Sequence, residues 1–244
     1  MTIGNEDDLE KLKAAGRLVA RTLKAMGEAL EPGITTRELD ELGRRMLEDQ
    51  GARPAPELTY GFPGATCISI GPDVAHGVPD DRRVEAGQLI NIDVSAELDG
   101  FFGDTGASFA VPPVTPRVER LCRDGRRALW AGIRAVRTGA DLNAPGRQIE
   151  AFARRHGYSL VRNLASHGVG AALHRTPRRS PPGPTGPIAA GSPRAWSSPW
   201  SRSCPWAPTG SRKAATTAGR SRPWAASLRC STNTPWWPRE TGRW

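Results

Sequence analysis

Cysteine is sparse in this sequence, long apolar runs are absent, and acidic residues all but vanish after residue 174. The four cysteines, Cys67, Cys122, Cys204 and Cys230, form no C-x-x-C pair and no dense framework. A disulfide scaffold is therefore excluded, and Cys67 and Cys122 read as free thiols of a reducing compartment. No stretch approaches the roughly 20 apolar residues that cross a bilayer. The polar, acidic start MTIGNEDDLEKLKAAG does not read as a signal peptide, so no membrane association and a cytoplasmic location are expected. There is no G-x-S-x-G elbow, which argues against a serine hydrolase. There is also no P-loop and no G-x-G-x-x-G after a strand, so nucleotide binding has no motif behind it.

The missing acids divide the chain. Residues 175–244 hold 12 of the 34 Lys/Arg and one of the 25 Asp/Glu, Glu240, so this tail carries +11 and residues 1–174 stand at −2. Seven of the eight tryptophans and 12 of the 22 prolines also lie beyond residue 174. The overall +9 is an average of unlike parts, and no specific nucleic-acid partner is expected from it.

Residues 1–174 have regular periodicity. Leu9, Leu12, Leu18, Val19, Leu23, Met26 and Leu30 recur at helical spacing over 6–30, and Pro32-Gly33 ends the run. A second helix is expected from Thr36, read as the N-cap, to Gly51. GARPAPELTYGFPGA reads as a turn-rich loop, and ATCISIG as a buried strand. GQLINIDVSAEL alternates, and Asp99-Gly100 announces a hairpin into FFGDTGASFAV. Helices are expected from about Pro116 to Thr138 and from about Ala144 to His156. SLVRNLASHGVG reads as a further strand entering a glycine-rich turn. Mixed elements in this order indicate an α+β domain over 1–174. No fold is assigned to the basic Pro/Arg/Trp-rich segment 175–244.

Asp93 lies mid-strand and Asp104 lies in its hairpin partner. Around the Asp99-Gly100 turn the two end as near neighbours on one face. Paired carboxylates in apolar strands are costly to bury without a cation, and Mn, Fe, Co or Zn accepts carboxylate with imidazole. The simpler alternative is that one acid caps a loop or pairs with an arginine. His167, between Ser166 and Gly168, is a candidate imidazole ligand. His76 and His174 are further candidates in similar settings, although a lone histidine in such a place is commonly a satisfied core residue. His156 reads as a helix C-terminal residue suited to the dipole. Cys67 has no neighbouring base, so packing or pocket lining is favoured over nucleophilic chemistry.

YGFPGATCIS, HGVPD around His76, NIDV around Asp93, GDTG around Asp104, and SHGVG followed by ALH together resemble the type I methionine aminopeptidases. Order, spacing and flanking glycines agree across roughly residues 5–174. The resemblance implies a pita-bread fold, complete here only in its N-terminal part. It also implies a centre of two divalent metal ions (Co, Mn, Fe, Zn or Ni). By the same resemblance Asp93 and Asp104 are metal ligands, Asp104 bridging, and His167 completes one shell. His76 and His174 are implied as catalytic residues that contact substrate and steady the tetrahedral intermediate. Tyr60, Phe62, Cys67 and Leu173 are implied in the methionine side-chain pocket. The implied partner is the N-terminal methionine of nascent polypeptides, met close to the ribosome by a monomeric enzyme. A proline-specific peptidase of the same fold and a non-catalytic remnant with an RNA-binding tail are the alternatives.

The family also has two C-terminal glutamate ligands, one in a Val-Glu-Pro context and one before His-Thr, and the first of them is the general acid/base. Neither is present here, since Glu240 stands in PRETG. Joining each codon's third base to the next codon's first two restores both. The stretch from Trp196 then permits Val-Phe-Thr-Val-Glu-Pro-Phe, and the stretch from Ser231 permits Tyr-Glu-His-Thr-Val-Val-Ala. From Arg175 the same frame permits Asp-Pro-Glu-Glu-Ile-Pro. Residues 175–244 are therefore read as a frameshifted C-terminus, and the chain is expected to be inactive and poorly folded.

Overall fold

The computed structural model describes residues 3–161, 164 and 166–174. The expectation for 175–244 lies outside the described residues.

Helix α1 runs Glu6–Glu28, and its N-terminal amides are met by the Asn5 side chain, which accepts from Asp8 N. Helix α2, Thr36–Glu48, starts with a reciprocal capping box in which Thr35 is the cap and Glu38 reaches back to its amide. The cap is thus one residue earlier than the sequence suggested, because Thr35 is the residue in extended conformation. The loop expected over 51–65 contains strand β1, Arg53–Pro54, and helix α3, Ala55–Tyr60. Of the prolines that look like breakers, Pro54 is the N-cap of α3 and Pro56 sits in its first turn, where no intrahelical amide bond is lost. The Gly61 amide closes α3 by donating to the Glu57 carbonyl.

Strand β2 is Cys67–Ile70, β3 is Leu89–Leu98 and β4 is Phe101–Ala110. All pairings are antiparallel, with β3 central: β4 lies along one edge, and β2 and β1 follow each other along the other. Leu98 pairs Phe101 across a two-residue turn. Asp99 and Gly100 both have positive φ there, 51° and 83°, as a type I′ turn requires.

Period-2 alternation gives the sheet one apolar and one polar face. Ile68 pairs Ile92 and Ile70 pairs Ile90, and with Val94 they pack on Leu18, Val19, Leu23 and Met26 of α1 and Leu39 and Leu47 of α2. Each such fully buried side chain contributes about 1.5–3 kcal/mol. The intervening residues, Cys67, Asp93, Asp104 and Gly106 among them, point away from this core.

Helix α4, Pro116–Ile133, and α5, Ala144–Arg155, pack against each other. Helix α4 stops short of Thr138 because the chain tightens, with Ala135 and Val136 bonding three residues back to Gly132 and Ile133. His156 caps α5 as expected. The strand anticipated in SLVRNLASHGVG is not formed among its described residues. Residues 162, 163 and 165 lie outside them. Among the described residues the segment is instead moored by a backbone bond from Phe102 N to Gly170 O at 2.7 Å.

Candidate active site

The polar face of the sheet carries the acids. Asp93 pairs Gly106 and Asp104 pairs Ser95, so the two carboxylates share a face as diagonal neighbours. Cys67 pairs Asp93 from the other side. The Gly170 mooring lies two residues from Asp104 and brings His167 across: its Nε2 is 3.3 Å from Asp104 Oδ2. His174 stacks beyond it, with ring centroids 3.9 Å apart. Tyr60, at the end of α3, meets His174 edge-on and is hydrogen-bonded through its hydroxyl to His174 Nδ1. A line of neighbours thus runs from Cys67 through Asp93, Asp104, His167 and His174 to Tyr60.

Phe62 and Leu173 are buried close in sequence to this line. His76 has a positive φ of 55°. It precedes Gly77, whose amide donates to Ser69 Oγ and whose carbonyl accepts from Ile68 N. That holds His76 against the outer edge of β2, one strand removed from Asp93.

The two neighbouring imidazoles titrate in opposite directions. Burial works against a charge on His167, but the hydrogen bond and charge of Asp104 outweigh it and lift the pKa above its usual value. Burial also lowers His174, and here the neighbouring His167 adds to the effect, pushing the pKa down to about 4. His174 is therefore neutral at neutral pH. The Tyr60 hydroxyl shares a hydrogen bond with its Nδ1, the direction of which is set by the His174 tautomer.

The donor chemistry suits a divalent cation, with two carboxylates and an imidazole from separate elements. Gly106 keeps the space before Asp93 open, since a Cβ there would stand 3.1 Å from Asp93 Oδ1. Yet among the described residues no three His, Cys, Asp or Glu side chains are grouped closely enough to hold a metal ion. These residues fit part of a metal shell and do not complete one.

Sequence reasoning missed three buried acids, Asp40, Glu97 and Asp124. Asp40 was signalled by its place on the buried face of α2 with Thr36, Leu39, Gly43 and Leu47. A carboxylate at a core position of an amphipathic helix must have partners.

The sequence profile of metallopeptidase family M24 matches residues 10–193. Methionine aminopeptidase 2 of Bacillus subtilis is 40% identical over 178 residues, covering 72% of this chain and 72% of that protein. The crystal structure of methionine aminopeptidase from Rickettsia prowazekii superposes with a TM-score of 0.69 at 39% identity, over 72% of this chain and 71% of that one. Prolidase from Pyrococcus furiosus, at 23% identity and a TM-score of 0.64 over 72% of this chain and 51% of its own, shows a shared fold only.

Proposed function

The chain belongs to metallopeptidase family M24, and on that premise we propose that its site is built to remove N-terminal methionine by metal-assisted amide hydrolysis, but that residues 1–174 supply only part of the machinery. The observation that carries this is the juxtaposition of Asp104 with His167 at 3.3 Å, with Asp93 beside them on the same sheet face. Asp93, Asp104 and His167 would hold metal, and a bound divalent ion supplies the acidified water for the attack. His174, neutral and hydrogen-bonded through Nδ1 to Tyr60, would in its Nε2-protonated tautomer donate to the scissile carbonyl oxygen as charge develops there. His76 approaches from the edge of β2 as a second contact to substrate. Tyr60, Phe62, Cys67 and Leu173 line the pocket for the methionine side chain.

Residues 175–244 contain no glutamate in either family context. Without a general acid/base and with an open shell, the chain as it stands does not turn over. Its tail is an out-of-frame translation and not a selected RNA-binding element. We place the protein in the cytoplasm as a monomer acting near ribosomes in its intact form. No helix among the described residues is long and apolar enough to cross a membrane.

The test is methionine release from Met-Ala-Ser with Co, Mn, Fe, Zn or Ni, for this chain and for one with the frame restored after His174. Intact mass confirms each product. Release is expected from the restored chain alone. Normal metal-dependent release by the present chain would end the inactivity reading, and none from either would end the peptidase reading.

A further inference from the structure

Three of the four side chains assigned to the proposed pocket lie in or at the ends of a short segment with no regular structure: Tyr60 ends α3, Cys67 starts β2, and Phe62 lies between them. What holds that segment is a carboxylate on α2. Asp40 is buried and accepts three hydrogen bonds: from Ala65 N at 3.1 Å, from Thr66 N at 2.7 Å and from Thr66 Oγ1 at 2.6 Å. All three donors lie between Phe62 and Cys67. One helical turn on, Arg44 holds α3 itself: both its terminal nitrogens donate to Glu57, Nη1 at 2.9 Å. Residues four apart share a helix face, so one face of α2 secures both pieces of chain that carry Tyr60, Phe62 and Cys67. Thr66 is fully buried against α2, so this contact stays dry and its bonds are not exchanged for water.

We propose that Asp40 is the positioning residue of the methionine pocket, fixing the Phe62–Cys67 segment through the Ala65 and Thr66 amides and so the place of Phe62 and Cys67. The inference rests on the pocket reading above. Asp40 touches no substrate. Its ionised carboxylate offers acceptors only, which matches a partner set made entirely of donors. Burial pushes its pKa above the usual carboxylate range, against the pull of those donors. An asparagine in its place turns an NH2 group toward one of the backbone amides, donor against donor, and the segment must move.

The full chain is alkylated with iodoacetamide and the rate at each cysteine is read by peptide mass spectrometry. Cys67 is buried at the end of the pocket segment, and Cys122 lies outside that segment, on α4. Asp40→Asn is expected to speed alkylation of Cys67 by about tenfold while Cys122 stays within about twofold, the mark of local opening and not global unfolding. Thr66→Val, which removes the hydroxyl donor alone, gives a smaller rise, and Thr66→Ser, which keeps the hydroxyl, restores the slow rate. An unchanged Cys67 rate in Asp40→Asn overturns the proposal, and so does a parallel rise at both cysteines. Should Asp40→Asn not fold, equal Cys67 rates in Thr66→Val and Thr66→Ser overturn it. L-methioninamide is added to the unsubstituted chain as a separate arm. Failure to slow Cys67 alkylation refutes the pocket reading, and the Asp40 comparison still tells whether that residue fixes the segment.

Discussion

Replacing Asp124 by alanine should loosen the join between α4 and α5. Its side chain is only 3% exposed, and Tyr158, just beyond α5, donates to Oδ2 at 2.9 Å. Arg120 and Arg127 reach the same carboxylate at 3.4 and 3.3 Å, but both are 59% exposed. Their contributions are therefore screened and small, a few tenths of a kcal/mol each at about the low end for exposed pairs. The tyrosine bond to a buried charge is the main contribution, about 1.5–3 kcal/mol. For a chain of this size that is a fall of about 3–12 °C in Tm, read by circular dichroism at neutral pH. Tyr158→Phe alone should cost less, because Asp124 keeps its arginines. In the double-mutant cycle the two should couple by at least about 0.5 kcal/mol, as residues in direct contact do.

The same carboxyl gives a pH signature. Burial raises its pKa, but the bonds from Tyr158, Arg120 and Arg127 prevail and hold it below its ordinary 3.8. A depressed folded pKa gives stability that is present above the unfolded value and lost as pH falls through the folded one. The difference in Tm between the parent and Asp124→Asn should therefore shrink only below about pH 4. Additive effects of Asp124→Ala and Tyr158→Phe, or a Tm difference that persists unchanged at pH 2, would refute the reasoning.

Two further outcomes follow from local geometry. Gly106→Ala places a methyl 3.1 Å from Asp93 Oδ1 and 3.2 Å from the Ile92 carbonyl. It should weaken Co or Mn binding by about 10–100-fold, the range seen when the groups supporting a ligand are disturbed; calorimetry showing unchanged affinity would remove Asp93 from the ligand set. Thr35→Ala breaks the capping box of α2 and should cost about 0.5–2 kcal/mol in chemical denaturation. Glu38 is held below its usual 4.5 by the Thr35 amide and hydroxyl, so its share of the cap is present above that pH and disappears as the acid titrates. A midpoint that does not move in Thr35→Ala would show the box to be idle.

The sequence by itself determined the elements whose signals are local. The period of Leu9 to Met26 specified α1, alternation with Asp99-Gly100 specified the β3–β4 hairpin, and the same alternation placed Asp93 and Asp104 on one face. These features need only neighbours along the chain or across one tight turn. Helix α3 was hidden because its prolines are breakers in most contexts and harmless only in the first turn. Tertiary structure alone decided the rest: that Cys67 lies opposite Asp93, that the Gly170 mooring carries His167 to Asp104, and that Asp40 and Asp124 face donors 25 to 34 residues away. The physical reason is that a buried polar group must be satisfied, but its residue type says only that a partner exists. Which partner it meets is settled when distant segments pack.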